Sequence, residues 1–228
     1  MTTMFEYKTT CAVCSTGKRF RAISSTNSMG SPDLDTRPPP MQRSTIWAWV
    51  QRCDSCGYCA SNLDHAPDEA RDVIHGPAYR QQLNNPDYPE LANSFLCKYL
   101  IEFESGLYAH ATWSLVHASW ACDDAGSSEQ ASECRRKAAK MLRLAEKKDQ
   151  KVTGHDHKWA EIPLLVDLLR RADEIQEARK AIPGEIEEIK GDIIYSILKF
   201  QHDLLEKKDT TCHTIGDAVS MYPLGKAG

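Results

Sequence analysis

The chain has 228 residues, 41% hydrophobic and 26% charged, with a net charge of −4. That composition excludes an intrinsically disordered chain, and a pI of about 6.1 argues against a dominant nucleic-acid footprint. No stretch reaches the ~20 consecutive apolar residues that span a bilayer. Met1–Glu6 lacks a basic patch followed by an apolar run, so neither a membrane partner nor a secretory signal is expected.

The charge is uneven. Residues 1–65 carry seven Lys/Arg against five Asp/Glu, and the remainder carries 21 against 27. Nine cysteines are present. The odd count, and the placing of four of them in two C-x-x-C pairs, suit a metal site in a reducing, cytoplasmic compartment better than a disulfide framework.

In chain order, Phe5, Tyr7 and Thr9 alternate into Cys11, and Phe20, Ala22 and Ile23 follow Gly17. This predicts a β-hairpin over about 5–23 around Cys11-Ala12-Val13-Cys14, with Gly easing the turn. Residues 24–44 are small, polar and proline-rich, which predicts an extended surface loop. Thr45–Val50 reads as a strand leading to Cys53-Asp54-Ser55-Cys56-Gly57. From Pro67 onward the period becomes helical. Helices are predicted over about 68–74, 92–103, 107–125, 128–148, 163–182 and 185–208, with stops at Gly76-Pro77, Gly106, Gly126 and Pro183-Gly184. Ser127 and Gln130 suggest a capping box. Asp209–Gly228 reads as a capping segment and tail.

Cys11, Cys14, Cys53 and Cys56 supply the four soft donors that a tetrahedral Zn²⁺ requires, at the spacing of a four-cysteine ribbon. A closed set leaves no position for water, so one structural zinc is expected. Cys59 reads as a free thiol beside the site, or as a substitute ligand for Cys56. In the loop, Asp33, Asp35, Arg37 and Arg43 are candidate partner-binding residues, because polar loops held on a rigid scaffold concentrate binding side chains. Trp47, Trp49 and Tyr58 near Arg43 and Arg52 offer either a ribbon core or a surface for single strands. His155 and His157 read as a polar loop, and Trp113, His117 and Trp120 as inter-helix packing. Cys212-His213 reads as a buried thiol and a bonded imidazole that pack the tail.

The knuckle Cys11–Cys14, the run Gly30-Ser31-Pro32-Asp33-Leu34-Asp35-Thr36-Arg37-Pro38-Pro39, Arg43-Ser44-Thr45 and Trp49–Cys53 with Cys56-Gly57-Tyr58 carry a resemblance. Trp120-Ala121-Cys122-Asp123-Asp124-Ala125 and Asp209-Thr210-Thr211-Cys212-His213-Thr214 extend it. With these motifs the chain resembles a group of uncharacterised bacterial proteins that join an N-terminal zinc ribbon to a helical, tetratricopeptide-like part. Cys59 departs from that pattern, which has an aliphatic residue there. The resemblance implies fold and metal, and brings no activity.

The expected architecture is mainly α with a small β zinc ribbon. A ribbon module with its proline-rich loop occupies residues 1–65, and a helical-hairpin, repeat-like domain occupies 66–228. The expected function is a zinc-binding adaptor or scaffold for a protein partner. A nucleic-acid-binding ribbon is the alternative, and a metal-dependent hydrolase using Asp33 and Asp35 is a third.

Overall fold

The computed structural model describes residues 2–225. Its first element is the expected hairpin, β1 (Thr3–Thr10) paired antiparallel with β2 (Gly17–Ser25). Phe5, Tyr7 and Thr9 face Ala22, Phe20 and Lys18 across it, and Tyr7 bonds Gln51 of the second knuckle. The insert then makes a short helix α1 (Pro40–Arg43), with proline at the position where its missing N–H is harmless.

The strand expected at Thr45–Val50 is instead a 3-10 turn, Ile46–Ala48. Buried Ile46 and Val50 lie four residues apart, a helical spacing, and Trp49 Nε1 donates to Thr45 Oγ1 at 3.1 Å. Two short strands, β3 (Gln51–Arg52) and β4 (Cys59–Ala60), pair antiparallel and frame the second knuckle.

The body is helical: α2 (Ala70–His75), α3 (Pro77–Leu83), α4 (Glu90–Glu104), α5 (Tyr108–Asp124), α6 (Ser128–Lys147), α7 (Ile162–Arg171), α8 (Ile175–Ala181), α9 (Ile193–Glu206) and α10 (Ile215–Met221). Successive helices α4 to α7 pack each on the next, and α9 closes against α7, α8 and α10. None is long and apolar enough to cross a membrane among the described residues.

Five helix ends share one stop. Gly106, Gly126, Asp149, Asp173 and Lys208 adopt φ between +54° and +72°. In each case the next residue's N–H reaches back five positions to a helix carbonyl, at 2.8–2.9 Å. This is the Schellman arrangement, which satisfies the last orphan carbonyls. It explains where the expected helices divide. The 163–182 segment breaks at Asp173 into α7 and α8. The 185–208 segment breaks at Gly191 (φ +96°), leaving a 3-10 turn at Ile186–Ile189 before α9. α3 and α10 were not foreseen. The Ser127–Gln130 capping box is absent, whereas Thr214 and Asp217 form one at α10.

The hairpin knuckle and the helices share a single buried cluster. It runs from Cys11, Val13, Ile46 and Val50 through Leu63, Phe95, Trp120 and Leu142 to Leu168 and Leu205. Trp49 of the insert stacks edge-on against His117 and Trp120 of α5, so the joint between the two parts is aromatic. A second, small cluster holds Leu34 between α9 and α10, against Ile197, Phe200, Leu204 and Ala218.

Lys208 carries a side chain in a conformation that costs an L-residue about 1–2 kcal/mol. Lys208→Gly is expected to stabilise the fold by about 1 kcal/mol, the relief being partly offset by glycine's greater unfolded entropy. Urea denaturation checks this, through a higher midpoint at unchanged slope.

Candidate metal centre

Two turns of the same construction bring the cysteines together. In the first, Cys11 N–H donates to Thr16 O at 3.0 Å and Ser15 N–H to Cys11 O at 2.8 Å. In the second, Cys53 N–H donates to Tyr58 O and Gly57 N–H to Cys53 O, both at 2.8 Å. Each needs a left-handed residue directly after its second cysteine: Ser15 (φ +60°) and Gly57 (φ +80°). Gly17, expected to ease the first turn, does not fill that role. At Gly57 a Cβ would also lie 2.5 Å from the Leu83 side chain, so close packing adds to the backbone requirement.

The sulfurs of Cys11, Cys14, Cys53 and Cys56 all lie within 4.8 Å of one another. Cys11 Sγ is 3.8 Å from Cys56 Sγ, and Cys14 Sγ is 3.6 Å from Cys53 Sγ. A tetrahedron of sulfurs 2.3 Å from a central ion has edges of about 3.8 Å. The four side chains therefore fit a metal ion at their centre. Their local electrostatics differ. Thr16, with its hydroxyl 3.3 Å away, holds the Cys14 thiol down to about 6, while burial pushes Cys11 and Cys56 up. Four crowded thiolates are unfavourable alone, and a cation at their centre offsets both burial and mutual repulsion.

Cys59 is not among these donors. It is buried, its sulfur lies 3.4 Å from Gly57 O, and it contacts Cys97 of α4. Tyr79 accepts from Cys59 N–H and donates to Gly57 O, tying the knuckle to α3.

The insert differs most from expectation. Asp33, Asp35 and Arg37 are buried, so this is no free surface loop. Asp35 accepts from Trp120 Nε1 at 2.7 Å and from Arg171 at 2.9 Å. Arg171 also holds Asp123, which pairs with buried Arg135. Arg37 spreads over the Trp120 ring and grips both oxygens of Asp124 at 2.6 Å. Asp33 pairs with Arg43, whose Nε donates to Pro38 O. Burial pushes the Asp35 carboxyl up, with Asp167 adding to it against Arg171 and Trp120. Both carboxylates proposed for a hydrolytic metal are thus occupied by arginines.

The insert and the chain's end also meet. Leu34 N–H donates to His213 O, Ile215 N–H to Pro32 O and Gly216 N–H to Ser31 Oγ, at 2.7–2.9 Å. His213 packs on Phe200 and bonds Asp209 and Thr211, as expected. Cys212, expected buried, is an exposed residue.

Trp113, His117 and Trp120 pack as expected, and burial drives His117 down to about 3, so it is neutral. His155 and His157 are exposed. Sequence reasoning missed Asp123, Asp124, Arg135 and Arg171. The signal for the two arginines was a cation at a helix position that faces the core.

No protein-family model, curated protein or solved structure matches this chain.

Removing one partner from a buried ion pair leaves an uncompensated charge, at about 3–5 kcal/mol. Asp35→Ala is expected to approach the lower end of that range, because Arg171 keeps only Asp123 and the Trp120 indole N–H loses its acceptor. Asp54→Ala, which breaks the exposed Lys18–Asp54 pair, should leave the denaturation midpoint nearly unchanged. Urea titration of both variants is the check.

Proposed function

We propose that the metal is a single structural zinc and that the protein is a non-catalytic binding protein, an adaptor offering a rigid ribbon to a macromolecular partner. The observation that supports this is the closed donor set. Four sulfurs at tetrahedral spacing, all of them in or beside the shared core, leave no position for water or substrate. Four cysteines without a disulfide suit a reducing, cytoplasmic setting. The three-residue Schellman turns that join α4 to α5 and α5 to α6 support a tetratricopeptide-like reading of the body, in line with the family resemblance. The partner-binding role expected of Asp33, Asp35 and Arg37 loses its support, because those side chains are consumed within the chain. Arg43 is held by Asp33 and Pro38.

Purified protein is expected to carry one zinc per chain by elemental analysis. Cobalt substitution should give thiolate charge-transfer absorption with tetrahedral ligand-field bands. Chelation should alter tryptophan fluorescence, through Trp49 at the joint, while most of the helical circular dichroism persists. Substoichiometric metal, or a cobalt spectrum with fewer than four sulfurs, would overturn the reading.

A further inference from the structure

A cleft of about 700 Å³ lies beside the second knuckle, between β2, the 3-10 turn at Ile46–Ala48 and the end of α3. Four consecutive residues of β2, Lys18 to Arg21, line it, and none of β1 does. It therefore follows the edge of β2 that is not paired with β1. The cleft gathers Lys18, Arg19, Arg21, Arg52 and Arg80 against only Asp54 and Glu90, in a chain whose net charge is −4.

These cations are not equally available. Lys18 pairs with Asp54. Arg52 donates to Leu83 O and Asn84, and Arg80 reaches Cys56 O. Arg19 and Arg21 are exposed, and neither meets a carboxylate among the described residues. The Arg21 guanidinium lies 3.3 Å from the Met4 sulfur and forms no ion pair with Glu6, which stands opposite it across the hairpin, while Lys8 stands opposite Arg19. Two residues apart on one strand, they stand about 7 Å from each other. Trp47 adds an apolar face, 40% exposed in a fold that buries most of its large side chains. Phe20 lines the cleft from the other face of β2, with the Lys18 ammonium over its ring.

We propose that this cleft binds single-stranded nucleic acid, the backbone along Arg19 and Arg21 and a base on Trp47. Alternating cations with an exposed aromatic face are the two parts such sites combine, phosphate neutralisation and stacking. An acidic protein would use the charges and has no need of the indole. The residues differ from those the sequence suggested: Trp49 and Tyr58 are packed inside, and Arg43 and Arg52 are held by carbonyls. The inference rests on the reading of the ribbon as a metal-fixed binding module.

The test uses the full chain and fluorescein-labelled oligothymidylate and oligouridylate of about twelve nucleotides, within the ~4–16 nucleotide span of small strand-binding folds. Anisotropy is followed as salt rises from about 25 to 250 mM. The expected result is saturable binding that weakens with salt. In Arg19→Ala/Arg21→Ala the slope of log K against log salt should flatten by about 1.4, two phosphate contacts at ~0.7 each. Trp47→Ala should lose about tenfold in affinity, and Trp47→Phe should keep most of it. The ratio between the two strands tells DNA from RNA. Absence of binding at low salt overturns the proposal, as does binding indifferent to these variants. Equal competition by a polyglutamate of matching charge reassigns the cleft to an acidic protein. Full zinc without strand binding sinks this inference alone. Strand binding with these dependences but without zinc sinks the metal reading alone.

Discussion

Four thiol sulfurs within 4.8 Å of one another are the constraint on which the N-terminal architecture depends. Between Cys14 and Cys53 the chain makes an excursion of 38 residues and returns. Closing a loop of that length removes roughly 4 kcal/mol of unfolded-chain entropy, if a metal cross-link acts as a covalent one does. Neither β1–β2 nor β3–β4 would persist alone, since an isolated two-stranded hairpin is marginal in water. The cluster joins the two, and Tyr79, Trp49 and the shared core carry the junction into the helices.

What the closed excursion does is reach across the body. Its tip lays Leu34 between α9 and α10, and its polar residues enter a chain of alternating charges: Asp35, Arg171, Asp123 and Arg135. Buried ion pairs add little net stability, because desolvation opposes the attraction. They are strict about partners, however. A register shift of one residue in 33–37 would leave the Trp120 indole N–H without its acceptor and Arg171 with Asp123 alone. We therefore assign this network to fixing where the insert docks. Segments 30–39, 120–125 and 209–214, far apart in the chain, meet here.

The four-cysteine cluster was legible because its chemistry is local: two cysteines three apart specify a turn, and two such turns bring four sulfurs together. Helix stops at Gly106 and Gly126 were legible because glycine announces a left-handed residue. Asp149, Asp173 and Lys208 adopt the same conformation without announcing it, so α7 and α8 read as one helix. Thr45–Val50 was misread because four apolar residues in six fit either period. The insert was misread for a deeper reason. Serines, aspartates and prolines look solvent-facing when their partners are invisible, and Asp35 and Arg171 lie 136 residues apart.

The same blindness governs charge. A net charge of −4 and a weak basic excess over residues 1–65 left a polyanion site as the second choice. Proximity in sequence pointed to Arg43 and Arg52, yet these spend their donors on Pro38, Leu83, Asn84 and Asp33. Arg19 and Arg21 escape that fate because they stand on a strand with one open edge. Charged residues on such an edge also deter pairing with another chain, and that duty alone would account for them. It would not account for Trp47. An indole 40% exposed in the same cleft makes the edge more adhesive, the opposite of what protection requires. Cations that repel another strand and a ring that invites contact fit the occupant proposed for the cleft, which is negative and flat-faced.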